Sequence, residues 1–447
     1  MQQSSILDSL KSAKFDGSLI SSGYPEYESG RRVWNGLIDR KPLAIVQAKT
    51  QDDILKVIEF ASRHALLLAV RGGGHSLPGL STCDGGLILD LSQLDQINID
   101  PVAQLISVES GALLGSVDAA GAPHGLVVPA GVVSHTGVAG LTLGGGMGWL
   151  SRRFGLTIDS LLAVDIITAN GDLISASQQN EPELFWGVRG GGGNFGIVTK
   201  FYFQMHELGS VTAGTWEYEL VHSRTALLRL ADVARTAPRE LTTAFNFTRK
   251  NLSITAFHSG LPAEGMKAVA PFGNLAGEGV GTFGQSEFTT HQSRSDEHAC
   301  WGRRYYAKGG YLAELSSETI DCMLAAMTSS PSPDCEIYVI QLGGAVSDIS
   351  DDATAYTGRA AQYYWIVQPI WDDTKLDVES LTWGRKIAAH MTALSMEGNY
   401  VNEQADVGGE LALKAYGAEK FKRLQRLKAR FDPSNLFRLN QNIQPSA

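Results

Sequence analysis

Arg71-Gly72-Gly73-Gly74-His75-Ser76, the run GVAGLTLGGGMG from Gly137 to Gly148, and GGGGNFG from Gly190 to Gly196 are the stretches on which the reading of this chain turns. Consecutive glycines cost backbone entropy, so they belong where the main chain must approach something very closely. With no side chains in the way, successive N–H groups can converge on an anion, most often a phosphate. The bland alternative is a set of tight turns and bulges. One run alone would not decide between them; three, all in the first 200 residues and each expected at a strand edge, favour a nucleotide-type ligand.

Which nucleotide is less obvious. Gly191, Gly193 and Gly196 satisfy G-x-G-x-x-G, but here the pattern follows LFWGVRG and runs into the β-type segment IVTKFYFQ. A dinucleotide fingerprint of the Rossmann kind must open a helix, so that reading is rejected, and with it a nicotinamide-dependent dehydrogenase. There is no G-x-x-x-x-G-K-[ST] stretch for a P-loop, and no His/Cys/Asp/Glu cluster at metal-ligand spacing.

Working outward, KPLAIVQAK reads as a strand, TQDDILKVIEFASRHA as a helix capped by Thr50 with Asp52 and Asp53 in its first turn, and LLLAVRG as a second strand. Residues 86–206 are short β-runs; Asn170-Gly171 between DIITA and DLISA marks a hairpin. The run 137–156 is too glycine-rich for an ordinary helix. From about residue 207 glycine thins out, and β-runs such as TAGTWEYELV and QYYWIVQPIW alternate with helical stretches such as SRTALLRLADVARTA. The tail reads as one basic amphipathic helix stopped at Asp432-Pro433. The expected division is 1–206, 207–407 and 408–447.

Composition narrows the class. With 447 residues, 43% apolar and 19% charged, the chain is globular and long enough for more than one core. A net charge of −10 argues against a nucleic-acid or anionic-membrane partner. No apolar run reaches the ~20 residues of a membrane helix, and MQQSSILDSLKSAKFDGS has no signal-peptide pattern, so a soluble, cytoplasmic protein is expected. Cys83, Cys300, Cys322 and Cys335 are spaced for neither disulfides nor zinc and read as small buried side chains.

AVRGGGHS (69–76), GGLILDLSQLDQINID (85–100), the stretch 137–162, ELFWGVRGGGGNFGIVT (183–199) and FDPSNLFRLNQNI (431–443) together resemble the berberine bridge enzyme-like group of the vanillyl-alcohol oxidase type of flavoproteins, with a texture nearest its bacterial members. The resemblance implies an α+β fold: a two-part FAD-binding domain of the vanillyl-alcohol oxidase type, plus a substrate domain with an antiparallel sheet covered by helices. It implies FAD held by Arg71, Gly72, Gly73, Gly74 and Ser76 in a first loop, and by Gly137, Gly140, Gly144 and Gly145 in a second. Gly196 and Ile197 would lie beside the adenine half, and Asn440 and Asn442 near the ring. It also implies a covalent bond from His75 to the flavin 8α-methyl, which a neutral imidazole is suited to make. Read alone, His75 is as well explained as a turn histidine. Many members carry a second link through cysteine in G-x-C-x-x-x-G; here Val133 holds that place, so a single link is expected.

The reaction implied is hydride transfer from a small alcohol, amine or natural-product intermediate to flavin, with O2 as electron acceptor giving H2O2. The alternatives are an oxidative cyclase or dehydrogenase of the same fold, and a flavin-binding protein without turnover. In the run 362–371, Tyr364, Ile366 and Gln368 share one face by alternation, making Tyr364 and Gln368 candidate catalytic pocket residues. Tyr400 and Asn402 in GNYVNEQ join them, on one side if that stretch is extended, and Glu403 would reach the site only if a strand ended there. For each tyrosine a half-buried sheet aromatic is the commoner role. Two departures from the family pattern fall here. Tyr356-Thr357-Gly358-Arg359 keeps the arginine of an aromatic-Pro-His-Arg segment but not its Pro and His, and Tyr400-Val401-Asn402-Glu403 stands for Tyr-x-Asn-Tyr.

Overall fold

The computed structural model describes residues 2–446. Its N-terminal unit forms as the alternation predicts. Strand Ala44–Gln47, helix Gln51–Arg63 and strand Leu68–Arg71 build a four-stranded sheet with Leu87–Asp90 between the two strands, parallel to both, and Ser18–Ser21 antiparallel on the outer edge. Thr50 accepts a hydrogen bond from Asp53 N, and the Asp53 carboxylate accepts from the backbone of Asp16, Gly17, Lys49 and Thr50. Burial works to raise the Asp53 pKa, but these four donors outweigh it and hold the carboxyl below its usual range. The helix start is therefore tied to the chain that enters the sheet.

A five-stranded antiparallel sheet follows, in the order Ile97–Asp100, Leu105–Glu109, Ile197–Gln204, Leu161–Ile167, Leu173–Ser177. The Asn170-Gly171 hairpin joins Leu161–Ile167 to Leu173–Ser177 at one edge of this sheet, with Gly171 at φ +86° and its N–H bonded to Thr168 O. The strand after Gly196 confirms the rejection of the Rossmann pattern.

The third sheet has seven antiparallel strands in the order Val280–Ser286, Val211–Tyr218, Leu252–His258, Leu241–Thr248, Glu336–Gln341, Tyr363–Gln368, Lys308–Leu312. Helices Leu220–Arg235, Ser317–Met327 and Asp377–Thr392 cover one face: Leu227, Leu230, Ile320, Met323, Ile387 and Met391 pack with Phe245, Ile337, Trp365 and Val367 in one core. Because side chains alternate along a strand, Tyr363, Trp365 and Val367 turn to the helices, while Tyr364, Ile366 and Gln368 turn to the opposite face. That opposite face is one wall of the central cavity. Among the described residues no helix is long and apolar enough to cross a membrane.

Four expectations need correction. The glycine-rich run does form a helix, Val138–Gly144, followed by Gly145 and Gly146 at φ +137° and +77°. Its interior glycine is tolerated because Val138, Ala139, Thr142 and Leu143 are buried, so tertiary packing overrides propensity. This run also flanks no strand, and the third run is preceded by a helix, Pro182–Val188, which starts on a proline and buries Leu184, Phe185, Trp186 and Val188. The tail is two helices, Gly409–Tyr416 and Ala418–Phe431, broken at Gly417 (φ +74°). Finally, Cys83 and Cys335 are buried, but Cys300 and Cys322 are only half-buried.

Candidate functional site

A single cavity of about 630 Å³ joins the glycine runs to the uncovered face of the seven-stranded sheet. Gly72, Gly73, Gly74, His75, Ser76, Gly137, Gly140, Gly196, Ile197 and Asn440 line it from one side. Tyr364, Gln368, Tyr400 and Asn402 line it from the other. These residues, all singled out above, share one space although they are spread over most of the chain.

The glycine side is a close fit of backbone on backbone. A Cβ on Gly73 would lie 2.3 Å from Gly137 N, and one on Gly137 would lie 2.3 Å from Gly73 N. Gly140 has nothing within 4 Å of the position of a Cβ and lies on the cavity wall. The backbone N–H groups of Gly72, Gly73, Gly74, His75 and Ser76 donate to no backbone carbonyl among the described residues. Unpaired N–H groups on a cavity wall are what an anionic ligand needs. The third run is fastened from the tail. Asn440 donates to Gly193 O (3.1 Å), Asn194 accepts from Ile443 N (3.1 Å), and the fully buried Lys428–Asp432 pair (2.6 Å) donates through Lys428 to Asn194 O (2.8 Å).

His75 ends the first glycine loop and lies among the rings of Trp34, His135 and Trp301. Its Nε2 lies 2.7 Å from Nδ1 of His135, and its ring stacks on Trp34 (centroids 5.0 Å apart, 17° between planes). Burial, then repulsion by His135, brings its pKa down to about 3, so the imidazole is neutral across the physiological range.

Four residues expected at the site do not line the cavity. Arg71 is buried in an ion pair with Asp90 (2.9 Å) and donates to Gly30 O, which joins strand to N-terminal segment. Gly144 and Gly145 face the other wall's supports: a Cβ on Gly144 would fall 2.5 Å or less from the Asn402 side-chain atoms, and one on Gly145 2.6 Å from the Tyr356 ring. Asn442, next to the fully buried Ile443, is also off the wall, with its Oδ1 buried and without a hydrogen-bond partner among the described residues.

The Tyr400–Glu403 stretch is not extended. Val401–Glu403 is a single 3-10 turn, so Tyr400 and Asn402 are not related by strand alternation. Asn402 instead folds back: its Nδ2 donates to Gly140 O (3.0 Å) and to Tyr400 Oη (3.0 Å), which also accepts from Gly146 N (3.2 Å). Glu403 therefore reaches the cavity without any strand ending there. Burial raises its pKa to about 7. Tyr364 donates to Asn399 Oδ1 (3.1 Å), and its pKa is pushed well above the usual tyrosine value by burial. Arg359, the retained arginine, forms a bidentate buried pair with Asp159 (2.7 and 2.8 Å) and supports Thr354 rather than the cavity.

Sequence reasoning missed three further groups on or beside this cavity. His135 lies two residues beyond Val133, but nothing in its spacing relates it to His75. Glu336 accepts from His298 (2.9 Å) and Asn246, which come from distant segments. His291 is buried against Trp149 and Phe257 with neither ring nitrogen hydrogen-bonded; burial, then Arg294, takes its pKa to about 3.

The fold and this cavity define a flavoprotein of two parts, one for the cofactor and one for the substrate. The family model of the FAD binding domain matches residues 42–177, and the one described as berberine and berberine like matches residues 399–444. An FAD-linked oxidoreductase of Dictyostelium discoideum is 30% identical over 96% of this chain and 95% of its own length. The BBE-like 1 protein of Physcomitrella patens has the same fold, with a TM-score of 0.91 at 22% identity over 99% of both chains. The 6-hydroxy-D-nicotine oxidase of Arthrobacter nicotinovorans superposes with a TM-score of 0.88 at 25% identity, covering 97% of this chain and 99% of its own. The chain belongs to the berberine bridge enzyme-like FAD-linked oxidoreductases.

The residues present fit FAD. The unpaired N–H groups of the first glycine loop suit a diphosphate, the close Gly73–Gly137 contact leaves no side chain in its way, and His75 stands neutral on the cavity wall at the end of that loop.

Proposed function

We propose that this protein is an FAD-dependent oxidase of a small alcohol, amine or natural-product intermediate, similar to the bacterial 6-hydroxynicotine oxidases, with its flavin held by one covalent bond to His75. The observation that carries the proposal is the continuity of the cavity: glycine loops, a neutral histidine and a wall of tyrosines share one space. Residues 1–206 and 408–447 would hold the cofactor, and 207–407 the substrate. Bound FAD would supply the hydride acceptor and return its electrons to O2, giving H2O2.

The chain's own groups do the rest. Backbone N–H groups of Gly72–Ser76 bind the diphosphate together with the Gly137–Gly140 stretch, while Gly196 and Ile197 lie beside the adenine half and Asn440 near the ring. His135 holds the His75 ring in place. Val133, which also lines the cavity, offers no nucleophile for a second bond. Tyr364, Gln368, Tyr400 and Asn402 face the substrate and orient it.

Purified protein tests this directly. The yellow colour should survive acid precipitation in the wild type and be released from a His75→Ala variant; colour that washes out of the denatured wild type ends the covalent assignment. Peroxide produced with an alcohol or amine separates an oxidase from a dehydrogenase or cyclase. Anaerobic bleaching of the flavin separates any of these from a flavin-binding protein without turnover.

A further inference from the structure

We propose that Glu403 is the group that takes the proton from the substrate, a role that rests on the oxidoreductase reading above. The placement comes from its turn. Asn402 and Tyr400 fasten residues 400–403 to the glycine-run helix through Gly140 O and Gly146 N, and Ala405 N–H bonds to Ala307 O on the sheet side. Glu403 is thereby held at the seam between the cofactor wall and the substrate wall, on the cavity surface.

The other titratable groups on the cavity are unsuited or already engaged. Tyr338 on strand Glu336–Gln341, Tyr364 on strand Tyr363–Gln368, and Tyr400 on the same turn face Glu403, and burial keeps all three protonated. His75 and His291 are very weak bases, each near 3. Glu336 is held by Asn246 and by His298, whose pKa it raises. Lys308, the nearest cation along the adjoining strand, is paired to Asp406 (2.8 Å). Among the described residues no side-chain or backbone donor reaches the Glu403 carboxylate. It remains a free acceptor whose affinity for a proton is matched to neutral pH.

The step balances simply. The substrate O–H or N–H proton passes to the Glu403 carboxylate, and the electron pair of that bond becomes the new C=O or C=N π bond. The hydrogen on the adjacent carbon leaves with its two electrons to the flavin, the oxidant. Glu403 then returns its proton to solvent or to the departing product.

The test uses wild-type and Glu403→Gln holoprotein. Each is mixed anaerobically with benzyl alcohol, benzylamine, N-methylbenzylamine and D-glucose, and the compound that bleaches the wild-type flavin fastest is followed from pH 5 to 9. In the wild type the reduction rate should rise about tenfold per pH unit below pH ~7 and level off above it. In the variant it should be about 100-fold lower or less, with that pH dependence gone, at unchanged flavin content and absorbance. A variant that reduces within tenfold of the wild type, with the same profile, overturns the assignment. Infrared titration gives a reading that needs no substrate: a protonated-carboxyl band that disappears as pH rises through ~7 and is missing from Glu403→Gln supports it, and its absence from the wild type overturns it. If no compound bleaches the wild-type flavin, the small-alcohol and amine substrate class proposed above falls, and the infrared titration alone then decides for or against Glu403 as proton acceptor.

Discussion

Gly72, Gly73 and Gly74 on one wall of the cavity and Tyr338, Tyr364 and Tyr400 on the other solve opposite problems. The first wall is bare main chain, and its binding groups are N–H donors that every residue possesses; specificity lies in what is missing, the Cβ atoms. The second wall is all side chain, and its groups are individual: three phenols, a free carboxylate at Glu403, and a carboxylate at Glu336 occupied by His298 and Asn246. Backbone binds a group common to a whole family of cofactors. In the proposed function, side chains choose one substrate and move one proton. The two walls should therefore fail differently when altered.

The largest effect is expected on the bare wall. Gly73→Ala places a Cβ 2.3 Å from the main chain of Gly137, where no side chain can swing aside. We expect a cost of about 3 kcal/mol, with flavin content reduced at least tenfold, read from the ratio of flavin to protein absorbance and a thermal melt. A variant that stays fully yellow would show that the two loops can part without losing the cofactor.

Next comes the fastening of the third glycine run. Lys428→Met strands Asp432 as a buried unpaired charge and should cost about 3 kcal/mol in urea unfolding. Adding Asp432→Asn should recover part of that loss, because the stranded charge is then gone. If the single and double variants are equally unstable, the hydrogen bonds from Lys428 to Asn194 O and Phe437 O, not the ion pair, hold the tail.

On the side-chain wall, Glu403 links stability to pH. Its folded pKa, about 7, is above the ordinary 4.5. The stability that its protonated form supports is complete below pH ~4.5 and is lost as pH rises through 7. Glu403→Gln should therefore gain on the wild type as pH increases from 5 to 8, by about 1–3 kcal/mol, in paired melts at the two pH values. An unchanged difference would mean the carboxyl is not held neutral.

The smallest effect on stability is expected from Tyr364→Phe, which loses the hydrogen bond to Asn399 and should cost about 1 kcal/mol with full flavin content. Flavin loss in this variant would contradict the separation of the two walls.

The glycine wall was legible in the sequence because its signal is local. A run such as RGGGHS or GGGGNFG has few uses, and it survives with no knowledge of what lies opposite. The alternation that sends Tyr364 and Gln368 to one face is local too. Gly144, Gly145 and Arg71 show the limit: their runs were recognised, but what each residue touches depends on Asn402, Tyr356 and Asp90, which are remote in sequence. The Tyr400–Glu403 turn was open between extended and turned forms because its conformation is set by its partners at Gly140 and Gly146, not by its own residues.

By itself the chain determined the strand–helix–strand start, the hairpin at Asn170-Gly171, the three places where backbone must lie bare, and the face of the strand that carries Tyr364, since each depends on neighbours a few residues apart. Tertiary structure alone decided that His75 meets His135, that Glu336 is occupied while Glu403 is free, and that a glycine-bearing segment closes into a helix. Those outcomes depend on which groups lose water together and which donors remain within reach, and neither is specified until distant segments are packed against one another.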